Sequence, residues 1–334
     1  MAEFKTPKKF RTPEKALPPI RIPPSPYLQE LGYGCGVKVF TLERSPKVGC
    51  IRSPWAVKKR NKVVKDPKYN ERIRDEATIL RKLNHPNIIG FRGFTKEASG
   101  EPCLVMEKLD SSLGDMIEER DGELFSAKDI LKIGFEVAKG LEYLHHTAFI
   151  LHGDIKSYNV LVSFDYKTVK LCDFGVSLCL TESLEMDKKK QGDATYIGTE
   201  CWNAPEILSG EGPVTNKADM WSYGLVLYEM MALSPPHVDS CSTMSDVMKE
   251  IMADENCDEN DDLNSMDVSY SSELDTTISG PGTRPLLPAF FPSEGYDQVL
   301  EIFSVCTEDE YKKRPSAKGV VRFYKTIIFP QKKT

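Results

Sequence analysis

The sequence predicts an α+β fold of two unequal lobes, a smaller one mainly of strands and a larger one mainly of helices. Three observations carry this. From the glycine-rich turn near Gly32 to Glu107, short β-type runs alternate with turns and are interrupted by one helical stripe. Beyond that point the apolar spacing turns helical. Between the two regions Cys103-Leu104-Val105-Met106-Glu107 reads as a buried strand that runs into Lys108-Leu109-Asp110, a natural hinge.

Composition bounds the possibilities. The chain has 334 residues, 28% charged and 40% hydrophobic, which is ordinary globular composition. A net charge of −6 gives no basic field, so nucleic acid is not expected as a partner. No apolar run reaches the ~20 residues that span a bilayer, and Met-Ala-Glu-Phe-Lys-Thr lacks the apolar core of a signal peptide. Nine cysteines, scattered and odd in number, fit reduced thiols rather than a disulfide framework. The expectation is a cytoplasmic or nuclear protein, or one shared between the two, with no membrane association.

In chain order, residues 1–26 are rich in Pro, Lys and Arg and have little to bury, so a disordered tail is expected. It carries Thr6-Pro7, Thr12-Pro13 and Ser25-Pro26, each a candidate site for an upstream proline-directed kinase. Leu31-Gly32-Tyr33-Gly34-Cys35-Gly36-Val37-Lys38-Val39 reads as a glycine-rich turn between strands, where backbone N–H groups approach phosphate oxygens unhindered. Trp55-Ala56-Val57-Lys58 is a strand with one inward lysine. In the helix that follows, Ile73, Ala77, Leu80 and Leu83 form an apolar stripe with Glu76 inside it. A carboxylate on a buried face is costly unless paired, and Lys58 supplies the charge. Asn84-His85-Pro86-Asn87 ends this helix, with His85 read as structural.

In the second lobe Ile130, Ile133, Val137, Leu141 and Leu144 share one helix face. Residues 220–228 are apolar nearly all round, so that helix is expected at the centre of the lobe, with Asp219 placed to cap backbone N–H groups. Between these helices, Val160-Leu161-Val162 and Val169-Lys170-Leu171-Cys172 form a hairpin about a turn at 165–167. The hairpin brings Asp154, Asn159 and Asp173 together near Lys156. Two carboxylates and an amide beside an ammonium suit a divalent metal, a phosphate and a proton acceptor, the set needed for phosphoryl transfer. Residues 253–275 are acidic and without apolar periodicity, a solvated insert or a docking segment for basic partners.

His152-Gly153-Asp154-Ile155-Lys156-Ser157-Tyr158-Asn159, Asp173-Phe174-Gly175 and Ala204-Pro205-Glu206, in this order and spacing, resemble the protein kinase family. The resemblance covers residues 27–327. It implies a bilobal protein-kinase fold with a smaller lobe at 27–106, a larger lobe at 110–327 and a short tail at 328–334. ATP and Mg2+ are implied as cofactors. Leu31, Gly32, Gly34, Gly36, Val39, Ala56, Lys58, Met106, Glu107 and Leu109 would contact the nucleotide, with the purine on backbone at Glu107 and Leu109 (or Lys108). Met106 reads equally as core filling. Lys58 and Glu76 would orient the α- and β-phosphates. Asp154 would accept the substrate proton, Lys156 would offset charge on the moving phosphoryl group, and Asn159 and Asp173 would hold the metal. Glu206 is expected to pair with Arg314 as a structural bridge.

Lys156 and Gly198-Thr199 belong to the Ser/Thr pattern. Phe4-Lys5-Thr6-Pro7, Tyr196-Ile197-Gly198-Thr199-Glu200, Gly282-Thr283-Arg284-Pro285 and the acidic insert are similar to a MAP-kinase-kinase-like branch of the family. That branch is of Ser/Thr or dual specificity, mitotic, and acts on stress-activated MAP kinases, so protein substrates of that class are implied. Thr6, Thr195 and Tyr196 are its candidate phosphosites here. The chain ends Gln331-Lys332-Lys333-Thr334 with no hydrophobic C-terminal residue, so capture by a PDZ domain is not expected.

Two positions depart from the family pattern. Val37 stands where a third glycine belongs, with Gly36 one place early, and Gly153 stands where the pattern has Arg. Such an arginine grips a phosphate on the activation segment. With Gly153, loss of Thr195 phosphorylation is expected to cost little, and Thr6 is expected to matter more. The alternative reading of both departures is a pseudokinase scaffold that binds partners through its tail and acidic insert.

Overall fold

The computed structural model describes residues 20, 29–34, 36–44, 53–64, 66–97, 99–192, 195–237, 280–288 and 295–328. Thr6, the tail around it apart from Ile20, the acidic insert and residues 329–334 lie outside the described residues. The fold is the expected α+β arrangement, with a sheet in the N-terminal region and helices in the C-terminal one.

The smaller lobe holds β1 (Gln29–Gly34), β2 (Val37–Leu42), β3 (Trp55–Arg60), α1 (Lys68–Leu80), β4 (Phe91–Lys96) and β5 (Pro102–Glu107). The strands form one antiparallel sheet in the order β1-β2-β3-β5-β4. The period of two along β3 and β5 sorts their side chains. Val57, Cys103 and Val105 join Phe40 and Leu42 in a small outer core. Leu104 and Met106 face the other way and join Ile73, Ala77 and Leu80 of α1 in the main core. Lys58 lies between Val57 and Lys59, on the α1 side.

Helix α1 opens after Pro67, where the Asp66 carboxylate accepts the Lys68 N–H at 2.9 Å. Its buried residues are Tyr69, Ile73, Glu76, Ala77 and Leu80. The stripe therefore begins one turn before the expected one, and Leu83, beyond the end of the helix, still packs part-buried against the same core. His85 is structural: its Nδ1 accepts the Asn87 N–H at 3.2 Å and its ring stacks on Tyr143 at 4.8 Å.

The larger lobe follows with β6 (Ser111–Ser112), α2 (Leu113–Glu118), α3 (Ala127–Tyr143), β7 (Ile150–Leu151), β8 (Val160–Val162), β9 (Val169–Leu171), β10 (Leu178–Cys179), α4 (Lys188–Gln191), α5 (Pro205–Leu208), α6 (Lys217–Ala232), α7 (Asp297–Cys306) and α8 (Ala317–Ile328). Ser112 and Asp115 make a reciprocal capping box on α2, and Ser126 caps α3 through the Asp129 N–H. Every residue of α6 from Ala218 to Met231 is buried, as its apolar circumference requires. The expected hairpin forms, with Val160 opposite Leu171 and β6 added at its other edge. Arg314 and Glu206 pair as expected, at 2.7 and 2.8 Å with both fork nitrogens engaged. Backbone carbonyls of Glu308, Asp309 and Lys217 take the remaining donors, and the guanidinium lies 4.9 Å from the Trp221 ring.

The lobes are stitched behind the hinge. Ile89 donates to the Leu171 carbonyl and Leu171 donates to that of Asn87, each at 2.9 Å, so the segment after α1 pairs with β9 of the other lobe. Glu107 adds a second stitch, accepting the Gly90 N–H at 3.1 Å and Lys170 Nζ at 3.2 Å. Among the described residues Cys103, Cys172, Cys179 and Cys306 are free. Cys201 departs from the expectation of reduced thiols: it is disulfide-bonded. No described helix is long and apolar enough to cross a membrane.

Candidate active site

The site forms where β3, α1, the 152–159 loop and the residues after β9 meet. Lys58 Nζ lies 2.8 Å from Glu76 Oε2 and 2.7 Å from Asp173 Oδ1. Lys58 and Glu76 are 5% and 1% exposed, so Glu76 would be an uncompensated buried charge without Lys58, which has Asp173 as a second partner. Burial pushes the Lys58 ammonium down, but the Asp173 and Glu76 carboxylates outweigh it and hold it above the ordinary range. Burial likewise pushes Glu76 up, with Lys58 opposing, whereas Lys58 holds Asp173 low despite burial.

Phe174 fixes this geometry. Its side chain is fully buried 4.9 Å from the His152 ring, and its N–H donates to Glu76 Oε1 at 3.2 Å. Asp173 itself sits at φ 63, a left-handed conformation that Asp tolerates better than most residues.

Across the cleft, Asp154 is surrounded by donors. Its Oδ1 accepts the Thr199 hydroxyl at 2.5 Å. Its Oδ2 accepts Asn159 Nδ2 at 2.9 Å and pairs with Lys156 Nζ at 3.0 Å. Lys156 also donates to Thr199 Oγ1 at 2.8 Å, closing a three-residue ring. Asn159 uses its amide nitrogen on Asp154, including the backbone carbonyl at 2.7 Å. No described residue bonds to Oδ1 of Asn159 or Oδ2 of Asp173. A pair of unengaged oxygens beside a phosphate-facing lysine fits a hard divalent cation that takes one or two side chains and keeps its other positions for phosphate and water.

The 152–159 loop is held from below by Asp219. This fully buried carboxylate accepts the His152 and Gly153 N–H groups at 2.9 Å each and lies 2.7 Å from His145 Nε2. Burial works against its charge, but the His145 contact and the Gly153 N–H outweigh that and hold it below the usual carboxylate range. Asp219 therefore caps loop amides and not those of its own helix, whose N-cap position is Asn216. Gly153 sits at φ +79, and a β-carbon there would lie 3.1 Å from the Val176 carbonyl. Glycine takes this conformation without strain.

At the nucleotide end, Ala56 and Met106 are buried opposite each other on β3 and β5, while Leu31 is 39% exposed on β1. The Glu107 N–H is spent on the Gly90 carbonyl at 2.8 Å, so its carbonyl is the group left for a purine. No described residue takes the Leu109 N–H. Val39 pairs with Lys58 across β2 and β3. Gly32 and Gly34 lie in β1, and Gly36 forms the turn with its Cα turned toward the Tyr69 ring.

The candidate phosphosites separate. Thr195 is exposed. Tyr196 is half-buried: its ring packs on the cores of the lobe, and burial, reinforced by Asp219 and Asp154, raises its phenol well above the ordinary value.

Three residues carry roles not assigned from the sequence: Thr199, read only as part of Gly198-Thr199, bridges Asp154 and Lys156, and Ser157, read only as part of the loop, pairs with Glu229. Glu229, 2% exposed in α6, accepts Ser157 N–H at 3.1 Å, Ser157 Oγ at 2.5 Å and Trp202 Nε1 at 3.0 Å. It ties the loop after Lys156 to the segment before Ala204-Pro205-Glu206. The signal was available, because Glu229, like Asp219, is a carboxylate in an otherwise apolar helix and needs partners.

Comparison with known proteins agrees with this geometry. The model of the protein kinase domain matches residues 27–323. The chain is 42% identical to lymphokine-activated killer T-cell-originated protein kinase of Homo sapiens over 339 residues, covering 98% of this chain and 99% of that protein. It is 37% identical to serine/threonine-protein kinase Nek5 of Homo sapiens over half of this chain and 22% of that one. It is 35% identical to mitogen-activated protein kinase kinase kinase zak-1 of Caenorhabditis elegans, again over half of this chain and 23% of the relative.

Proposed function

The chain belongs to the protein kinase family, and from that premise we propose that it transfers the γ-phosphate of ATP to serine and threonine hydroxyls of protein substrates. The observation that carries the reading is the ring of Asp154, Lys156 and Thr199 opposite the Lys58–Glu76–Asp173 cluster. Asp154 Oδ1, now accepting from Thr199, is the oxygen to take the proton of a substrate hydroxyl. Lys156, already bonded to Asp154 and Thr199, supplies positive charge beside the transferring group. Lys58, held by Glu76, positions the nucleotide phosphates. Asn159 and Asp173 would hold Mg2+, which when bound neutralises charge developing on the phosphates.

Lys156 and its bond to Thr199 support Ser/Thr acceptors over tyrosine. A MAP-kinase-kinase-like role in mitosis, with stress-activated MAP kinases as substrates, is the finer reading drawn from the sequence resemblance. Against the pseudokinase alternative, Gly153 still donates to Asp219, which supports a loop held in place despite the departure from Arg.

Phosphate transfer from Mg-ATP to a generic protein substrate tests the proposal. The Asp154→Asn protein should lose roughly 10²–10⁴ in rate. Wild-type protein that never consumes ATP, or an Asp154→Asn protein as fast as wild type, would refute it.

A further inference from the structure

The displaced glycine and the extra aromatic on α1 meet each other. Gly36 lies at the turn between β1 and β2 with φ +76, its carbonyl accepting the Asn61 N–H at 2.9 Å. A β-carbon at position 36 would run into the Cε1, Cζ and Cε2 atoms of Tyr69. The ring therefore lies directly against the backbone of the turn. Tyr69 is 8% exposed and flanked by Lys68 Nζ and Arg72 Cζ, each 5.4 Å from the ring centroid. Val37, in the place where the family pattern has its third glycine, is part-buried against the main core.

Tyr69 and Glu76 share the buried stripe of α1, seven residues or about 10.5 Å apart along its axis. One end of this helix touches the glycine-rich turn and the other holds Lys58. Both contacts act on the same part of a nucleotide, its phosphates. We infer that Tyr69 is a positioning residue that seats the glycine-rich turn over the phosphates, and that Gly36 stands one place early so that the turn can accept the ring. A shift of α1 then moves the turn and the Lys58–Glu76 pair together.

The inference rests on the reading of the cleft as an ATP site, and the two fail in different ways. Affinities of the full chain for Mg-ADP and for adenosine, measured by calorimetry, separate them. Adenosine needs only the hinge, so it reports folding and the purine site. Tyr69→Ala should weaken Mg-ADP about tenfold, within the range of coupled neighbouring contacts, and leave adenosine within about twofold, while Tyr69→Phe retains the ring and most of the Mg-ADP affinity. Gly36→Ala approaches from the other side of the contact, should also lose Mg-ADP selectively, and keeps the question open to test if Tyr69→Ala does not fold. Combined with Tyr69→Ala it should cost less than the product of the single effects. Equal losses for Mg-ADP and adenosine, no loss for either, or effects that simply multiply would overturn the inference. Wild-type protein that binds neither ligand would overturn the ATP-site reading and the inference with it.

Discussion

Replacing Glu229 with Gln removes a charge from the centre of the larger lobe without removing a single partner. Burial pushes this carboxyl from its ordinary 4.5 up to about 7, against the pull of Ser157 and Trp202. The folded protein therefore keeps a proton between those two pH values that the unfolded chain has released. Stability contributed by this group is fully present below pH 4.5, falls as pH rises, and levels off above about 7. Over about 2.5 pH units, at about 1.4 kcal/mol each, the loss is roughly 3 kcal/mol. Glutamine escapes it. Its carbonyl can accept the N–H groups of Ser157 and Trp202 that now share Oε2, and its amide can donate to Ser157 Oγ. Urea denaturation at pH 5 and pH 8 should show Glu229→Gln gaining on wild type by up to about 3 kcal/mol at the higher pH and by little at the lower one. The same difference at both pH values, or a glutamine protein less stable at pH 8, would refute the reasoning.

The Glu206–Arg314 bridge should behave in the opposite way. Arg314→Met leaves the Glu206 carboxylate without its two donors and three backbone carbonyls without theirs, so a loss of about 3–5 kcal/mol is expected in chemical denaturation; a loss under about 1 kcal/mol would show the bridge to be solvated. Thr195→Ala should reduce kcat/KM by less than about tenfold, since Gly153 offers no guanidinium to a phosphate on this exposed residue. Near-total loss of activity in that protein would mean that another cation does the gripping.

Much of this was legible in the chain because charge and periodicity constrain each other. Glu76 in an apolar stripe demanded a lysine, and Lys58 was the inward candidate; the structure holds them 2.8 Å apart. The Val160–Leu171 hairpin followed from two short β runs and a turn. Glu206 with Arg314 came from the family pattern. Other parts were less readable. The same argument that found Glu76 applies to Glu229, but its partners, Ser157 and Trp202, lie 72 and 27 residues away, and no periodicity connects them. Tyr196 was a candidate phosphosite by resemblance, and its packing against the cores of the lobe is not legible from the sequence. The displaced Gly36 is a departure from the family pattern whose neighbour, Tyr69, lies thirty-three residues on, beyond the reach of any local sequence argument.

Asp219 has a further consequence, for how the molecule breathes. It binds two consecutive loop amides from inside the most deeply buried helix of the lobe, so those amides cannot meet solvent while that helix stays packed. A surface loop around a reactive centre would ordinarily fray at low cost. Here the His152 and Gly153 N–H groups should exchange with deuterium only as fast as the lobe unfolds as a whole, which makes the loop before Asp154 among the last pieces of the chain to come undone.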